Sequence, residues 1–247
     1  MSAKVYLVGI GPGRAECITP QALEAIRKAP VIIGHPDTLA LIEELTRGKE
    51  VLAVNQNPLE RSRLAVEKAQ SGCEVAIISS GDPGVYAIAA TFFGYLRDND
   101  IKLDVEVVPG LGLASYAAAQ LGAPLGSDTA TISLTDQSVP WPEIRKRLEA
   151  AAAADFVIAI YNPFGKLGPS RLQEALRIIM GRRPASTPAG VLSRAATPAE
   201  KAEITTLGEL AAMPLPVDSM IIIGNSQSYA RDGRMVTPRG YTPGIGY

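Results

Sequence analysis

The feature that most constrains the fold is a glycine turn, Gly9–Gly13, that follows directly on a short apolar run, Val5–Val8. A buried strand that ends in a glycine turn and leads into a helix is a ligand-binding junction in open α/β sheets. A dinucleotide fingerprint would need glycine at position 14, where this chain has Arg14. Pro12 also removes a backbone N–H from the stretch that would hold a pyrophosphate. The turn therefore predicts a site for a ligand other than NAD.

In the first half of the chain, short apolar runs alternate with helical segments. The predicted strands are Val5–Val8, Val31–Ile33, Val51–Val54, Glu74–Ile78 and Asp104–Val108. The predicted helices are one that begins at Thr19 as N-cap, Thr38–Leu45, Leu59–Gln70, and one that runs through Phe92 and Leu96. Continuous apolar runs separated by helices indicate a parallel sheet covered on both faces.

The second half predicts a different sheet. Its strand candidates are Ala130–Leu134, Phe156–Ile160, Ala189–Leu192, Ala202–Thr206 and Met220–Ile223, and its helix candidates are Leu113–Leu121, Pro142–Ala154 and Ser170–Met180. The last two strands are joined by the short segment Leu207–Met213, which indicates a mixed sheet. We expect two α/β domains, 1–115 and 116–247, with a parallel N-terminal sheet, a mixed C-terminal sheet and the active site in the cleft between them.

Composition argues against several functional classes. The formal net charge of −1 provides no global basic field that would attract nucleic acid or an anionic membrane. No segment is long and apolar enough to span a bilayer. Cys17 and Cys73 are far apart and predict neither a metal site nor a disulfide framework. We expect a cytoplasmic protein with no nucleic-acid or membrane partner.

Several segments together resemble one family, the tetrapyrrole (corrin/porphyrin) methylases. The segments that carry the resemblance are Gly9–Gly13, Ser80–Tyr86, Val108–Gly110 and Ile160–Pro163, in that order. A second set is similar to the branch that methylates precorrin-3B at C17: Ile132–Asp136 with Pro140 and Trp141, Ile223–Gln227, and Thr237–Tyr241. The resemblance covers essentially the whole chain. It implies S-adenosylmethionine-dependent methylation of C17 with contraction of the macrocycle, in cobalamin biosynthesis. The anaerobic counterpart, which acts on cobalt-factor III, looks nearly the same at this level.

The resemblance also implies where the ligands bind. The residues expected to contact S-adenosylmethionine, or S-adenosylhomocysteine as product, are Gly11, Pro12, Ser80, Gly81, Asp82, Val85, Gly112, Leu113, Tyr161, Asn162 and Ala196. Ring contraction requires proton transfer and stabilisation of oxyanions. The candidates for this work are Asp136, Tyr161, Asn162 and Arg194, and the sequence leaves their roles open. Arg194 and Arg239 are the candidates for binding substrate carboxylates. No metal ligand is expected.

Structural explanations compete with these assignments. Gly9–Gly13 is alternatively a plain turn, Asp82 a helix N-cap, Tyr161–Pro163 a strand end with a proline-directed turn, and Trp141 a hydrophobic anchor. Functional alternatives are an RNA ribose methylase on the same fold, a tetrapyrrole- or cofactor-binding protein without turnover and, more distantly, a dehydrogenase. The near-neutral charge argues against the RNA enzyme. A homodimer is expected from the resemblance and from the apolar run Met220–Ile223.

Overall fold

The structure is a computed structural model that describes residues 3–55, 57–135, 139–164 and 168–240. The chain divides into two compact units between Leu113 and Ala114. Each unit has its own sheet and its own buried apolar clusters. Within the described residues, no helix is long and apolar enough to cross a membrane.

The first unit is built on a parallel sheet. Its strands are β1 Val5–Gly9, β2 Val31–Gly34, β3 Glu50–Ala53, β4 Val75–Ser79 and β5 Val105–Val108. Its helices are α1 Pro20–Lys28, α2 Pro36–Ala40, α3 Pro58–Gln70 and α4 Ile88–Asp98, with 3-10 turns at Ala15–Cys17 and Glu43–Thr46. The strand order is β3-β2-β4-β1-β5, and all the pairings are parallel. The parallel sheet predicted from the sequence is confirmed.

Apolar side chains are buried on both faces of this sheet, which explains why its central strands lack polar alternation. Along β1, Val5 and Leu7 belong to a cluster that contains Phe92 of α4. Tyr6 and Val8 face the other side, in the cluster that contains Ile26 of α1. Alternate side chains of one strand therefore enter different cores, as expected for a sheet covered on both faces.

The beginning of α1 was predicted correctly, whereas that of α2 was not. Thr19 caps α1, because its Oγ1 accepts a hydrogen bond from the N–H of Ala22 at 3.1 Å. The expected helix Thr38–Leu45 is wrong at its start and in its length. His35 is the N-cap, with Nδ1 accepting from the N–H of Asp37 at 3.3 Å, so α2 begins two residues earlier, at Pro36. It ends before the buried Ile42, whose φ of −128° is not helical.

The second unit contains a mixed sheet and a small additional sheet. Its strands are β6 Gly122–Ala123, β7 Thr129–Ser133, β8 Val157–Tyr161, β9 Pro188–Ser193, β10 Lys201–Thr206, β11 Ser219–Ile223, β12 Tyr229–Arg231 and β13 Arg234–Val236. Its helices are α5 Leu113–Leu121, whose first residue precedes the division, α6 Trp141–Ala153, α7 Pro169–Met180 and α8 Leu207–Leu210.

The larger sheet has the order β10-β9-β11-β8-β7, with β7 parallel to β8 and the other pairs antiparallel. The mixed sheet predicted from the sequence is confirmed. The order β12-β13-β6 forms a second, smaller sheet that the sequence analysis did not predict. Its strands contain only two or three residues each.

A buried guanidinium links three chain segments near the beginning of β8 in the larger sheet. Arg183 is 6% exposed and donates to the carbonyl oxygens of Gly224 at 2.5 Å, Ala151 at 3.4 Å and Phe156. Burial lowers the pKa of Arg183 from its ordinary value, because the charged form loses hydration. The Arg183 guanidinium thus connects the end of α6, the residue before β8 and the end of β11.

We expect Arg183→Ala to lower the free energy of unfolding by about 3 kcal/mol, because buried carbonyls lose their donor and a cavity remains. The neighbouring Arg182 is exposed, so Arg182→Ala is the matched control and should stay within about 0.5 kcal/mol of the wild type. Urea unfolding monitored by circular dichroism measures both variants. Equal unfolding midpoints for the two variants would contradict the assigned role of Arg183.

Candidate functional site

Three loops at the carboxyl edge of the first sheet pack backbone against backbone. The N–H of Gly11 donates to the carbonyl of Gly81 at 3.2 Å, and the N–H of Gly81 donates to the carbonyl of Gly11 at 2.7 Å. A Cβ on Gly9 would lie 2.6 Å from the Gly81 oxygen, and one on Gly110 only 2.2 Å from that same oxygen. We call Gly9, Gly11, Gly81 and Gly110 the glycine junction. Gly9 and Gly110 are required there because another loop occupies the space that a side chain would fill.

Asp82 closes the junction instead of capping a helix. Its Oδ1 accepts from the N–H of Gly84 at 2.8 Å, and its Oδ2 accepts from the N–H of Gly110 at 3.1 Å. Helix α4 begins at Ile88 with Ala87 at its N-cap, so the interpretation of Asp82 as the cap is wrong. The carboxylate joins the loop after β4 to the loop after β5, and this bond spans 28 residues of sequence.

The outer part of these loops leaves room for a ligand. A Cβ on Gly112 would meet no atom within 4 Å, in contrast to Gly110 two residues earlier. Ser80 is exposed, and the apolar side chains of Val85 and Leu111 are 41% and 36% exposed. Pro12 and Leu113 are half-buried. This surface offers backbone groups and uncharged side chains.

In the second unit, the strand directions bring several polar residues to one edge. Strands β8 and β9 are each antiparallel to β11 and hence parallel to each other, and β7 is parallel to β8. Their last residues, Ser133, Tyr161 and Ser193, therefore lie along the same edge of the sheet. We call it the carboxyl edge of the second unit, and below the term carboxyl edge refers to this one unless the first sheet is named. The candidates Tyr161, Asn162 and Arg194 follow from these strand ends.

Side-chain hydrogen bonds orient the residues at the end of β8. The Tyr161 hydroxyl accepts from the N–H of Ala114, in the first turn of α5, at 3.2 Å. Asn162 is left-handed, with φ of 49°, and its Nδ2 donates to Ser133 Oγ at 2.9 Å. Tyr161 and Asn162 thus lie at a strand end, as the structural explanation of this segment predicts, and hydrogen bonds to Ala114 and Ser133 orient their side chains. Ser133 was not singled out from the sequence, although it lies within the Ile132–Asp136 segment of the resemblance.

The turn after β9 is held by a residue that sequence reasoning missed. Arg194 and Ala196 are both left-handed, with φ of 51° and 63°. Glu200 Oε2 accepts from the N–H of Ala196 at 2.6 Å and from the hydroxyl of Tyr116 at 2.8 Å. Neither Glu200 nor Tyr116 belongs to any motif, so the sequence carried no signal for this contact. Arg194 is exposed, and no carboxylate of the described residues pairs with it.

The remaining candidates do not join this group. Asp136 lies outside the described residues. Thr237 shares a hydrogen bond of 2.7 Å with Ser228, and Ser228 packs against Gly224. The N–H of Gly224 donates to the carbonyl of Pro188, at the beginning of β9. This group therefore lies at the opposite edge of the sheet from Ser193 and Arg194. Arg239 follows Thr237 by two residues, at most about 7 Å of extended chain. The structure therefore does not bring Arg239 to the carboxyl edge with Arg194.

Among the described residues, no group of three or more His, Cys, Asp or Glu side chains is placed to hold a metal ion. Around the two edges the described residues offer hydroxyls, a carboxamide, an exposed guanidinium and backbone groups, together with the carboxylates of Asp82 and Glu200 and the imidazole of His35, which all accept backbone hydrogen bonds. Such groups orient ligands and bind anions.

Comparison with known proteins identifies the relatives of this chain. The family model of the Tetrapyrrole (Corrin/Porphyrin) Methylases matches residues 4–211. A probable cobalt-factor III C(17)-methyltransferase of Salmonella typhimurium is 38% identical over 96% of this chain and 98% of its own length. A precorrin-3B C(17)-methyltransferase of Sinorhizobium sp is 35% identical over 98% of each chain. The crystal structure of the methyltransferase CobJ matches with a TM-score of 0.89 and 30% identity, over 96% of this chain and all of that one.

Two neighbouring glycines test the junction. Gly110→Ala should lower the free energy of unfolding by about 1–3 kcal/mol, because its methyl group overlaps the Gly81 carbonyl and forces the loops apart. Gly112→Ala places the same methyl group in open space without a positive φ, and should change stability by less than about 0.5 kcal/mol. Thermal and urea unfolding compare the variants. If Gly110→Ala is as stable as Gly112→Ala, the close packing of the loops is not required.

Proposed function

The chain belongs to the tetrapyrrole (corrin/porphyrin) methylases, and from this premise we propose that it methylates C17 of precorrin-3B, with ring contraction, in cobalamin biosynthesis. The observation that carries the proposal is similarity over nearly the full length of relatives that are named for C17 methylation. The second candidate substrate is cobalt-factor III. The observation in its favour is that the Salmonella relative, named for cobalt-factor III, is 38% identical to this chain, whereas the Sinorhizobium relative, named for precorrin-3B, is 35% identical.

The residues of the first unit fit S-adenosylmethionine as the methyl donor. This molecule carries no phosphate, so its site requires no phosphate-binding cluster of cations, and its methionine carboxylate and ammonium can be bound by backbone N–H and carbonyl groups. The open space at Gly112 and the exposed Val85 provide an uncharged surface beside backbone groups. We assign Gly11, Pro12, Ser80, Gly81, Val85, Gly112 and Leu113 as cofactor contacts on this basis. Asp82 supports them through the glycine junction.

The contribution of the chain is to align the two ligands, because the sulfonium of S-adenosylmethionine already provides the driving force for methyl transfer. When bound, S-adenosylmethionine supplies a methyl group from its sulfonium, leaving S-adenosylhomocysteine as its S–C bond breaks and the new C–C bond forms. Fixed geometry is an effective contribution to such a bimolecular displacement, since it removes the orientational entropy from the barrier. Tyr161 and Asn162 suit this role, because each side chain is oriented by a hydrogen bond at the carboxyl edge.

We assign Arg194 to the carboxylates of the tetrapyrrole. Such a polyanion keeps its charge in a binding site only when cations or hydrogen-bond donors replace its hydration. Arg194 is exposed, and its guanidinium pairs with no carboxylate of the described residues. Asp136 and Asn162 are proposed to assist the proton transfers of ring contraction, and Ala196 to contact the cofactor.

The experiment that tests this function is anaerobic incubation of the protein with S-adenosylmethionine and either precorrin-3B or cobalt-factor III. A gain of one methyl group by mass, with a changed absorption spectrum, is the expected result for the true substrate. Calorimetry should show binding of S-adenosylhomocysteine and none of NAD, because Pro12 and Arg14 disrupt the dinucleotide fingerprint. Tetrapyrrole binding without a mass change would identify a binding protein without turnover.

The assembly and the cellular location are proposed on the same basis. We propose a cytoplasmic homodimer with no nucleic-acid or membrane partner, in keeping with the family and with the near-neutral net charge of −1. Met220–Ile223 is not the surface that supports a dimer, because β11 is a fully buried central strand. Sedimentation at micromolar concentration should give twice the chain mass of 26.0 kDa. A single species at the chain mass would rule out the dimer.

A further inference from the structure

The carboxylate of Glu200 links the turn after β9 to helix α5. One of its oxygens, Oε2, accepts both from the N–H of Ala196 and from the hydroxyl of Tyr116. Tyr116 is 5% exposed and lies in the first half of α5, so its hydroxyl is a fixed donor. The Glu200 and Tyr116 positions are separated by 84 residues, which makes this contact a tertiary tie between distant elements.

The turn that Glu200 holds is strained. Arg194 and Ala196 both adopt the left-handed conformation, which costs a residue with a side chain free energy wherever it occurs. The carbonyl of Arg194 accepts from the N–H of Thr197 at 3.2 Å and from its hydroxyl at 2.8 Å. Residues in such conformations persist where the surrounding contacts over-determine them, and they cluster at ligand-binding positions.

We propose that Glu200 and Tyr116 are positioning residues, which hold the Arg194–Ala196 turn in the conformation that both ligands require. This inference rests on the proposed function, since Arg194 is assigned to the tetrapyrrole carboxylates and Ala196 to the cofactor. The Glu200 bond uses the N–H of Ala196, so the cofactor contact of Ala196 is made by its carbonyl or its methyl group. Arg194, two residues earlier in the same turn, is exposed.

The geometry separates a positioning role from a catalytic one. Because a single oxygen of Glu200 accepts both hydrogen bonds, a glutamine at this position can make the same two contacts through its amide oxygen. Glu200→Gln should therefore retain turnover and bind both ligands more tightly than Glu200→Ala does, whereas the loss of a catalytic carboxylate would abolish turnover.

Glu200→Ala should raise the Kd for S-adenosylhomocysteine and the KM for the tetrapyrrole together, each by about ten-fold, because the turn loses its charge-assisted hydrogen bonds. Tyr116→Phe removes one of the two bonds and should raise both constants by about three-fold. Arg194→Ala should raise only the tetrapyrrole KM and reduce its salt dependence, because it leaves the backbone of the turn in place. Calorimetry and steady-state kinetics provide these constants, and hydrogen exchange of the Ala196 amide should accelerate in Glu200→Ala.

Glu203→Ala is the matched control, because its carboxylate pairs with Lys201 on β10. It should leave both constants unchanged. The inference is overturned if folded Glu200→Ala keeps either constant at the wild-type value, or if Glu200→Gln loses turnover. Should Glu200→Ala not fold, Glu200→Gln and Tyr116→Phe decide the matter by the same constants. A wild-type protein that transfers no methyl group refutes the proposed function, while the Kd for S-adenosylhomocysteine and the exchange of Ala196 still test the positioning role.

Discussion

The close approach of three loops at the glycine junction is the constraint on which the first unit depends. Because β1 lies between β4 and β5, its loop has neighbours on both sides, and side chains at Gly9 or Gly110 would overlap their backbone. Asp82 fixes this contact by accepting from Gly110. The packed inner glycines set the position of the outer residues, such as Gly112, which have space around them. The loop after β5 thus contains one glycine packed against backbone, Gly110, and one with open space around it, Gly112.

The second unit orders its carboxyl edge by a different physical device. Its loops place residues with side chains, Asn162, Arg194 and Ala196, in the left-handed conformation that glycine adopts without steric cost. Hydrogen bonds from neighbouring elements offset that cost: Ser133 accepts from Asn162, and Glu200 accepts from Ala196. Glycine would relieve the strain but would provide no guanidinium or carboxamide. The functional groups at this edge therefore require the supporting contacts around them.

The strands and helices with long apolar patterns were predictable from the sequence, whereas contacts between distant residues and some local details, such as the His35 cap of α2, were not. Both main sheets follow from their apolar runs, and Thr19 was recognised as a cap from local chemistry. Asp82 was interpreted as a cap because its partner Gly110 is 28 residues away. Glu200 had no local signal at all. The β12–β13 hairpin did have one: Asp232 and Gly233, at φ of 50° and 68°, form the Asp-Gly turn typical of two-residue hairpins. Its strands are too short for the apolar pattern to reveal them.

The C-terminal segments show that similarity to a branch of a family does not by itself locate substrate contacts. The Ser228 hydroxyl is hydrogen-bonded to Thr237 and donates to Asn225, and this buried network joins the small sheet to the end of β11 opposite the carboxyl edge. The residues that most resemble the C17-methylating branch therefore include some that stabilise the fold. At the carboxyl edge of the second unit, by contrast, the backbone of the turn that carries Arg194 is fixed by Glu200 and Thr197.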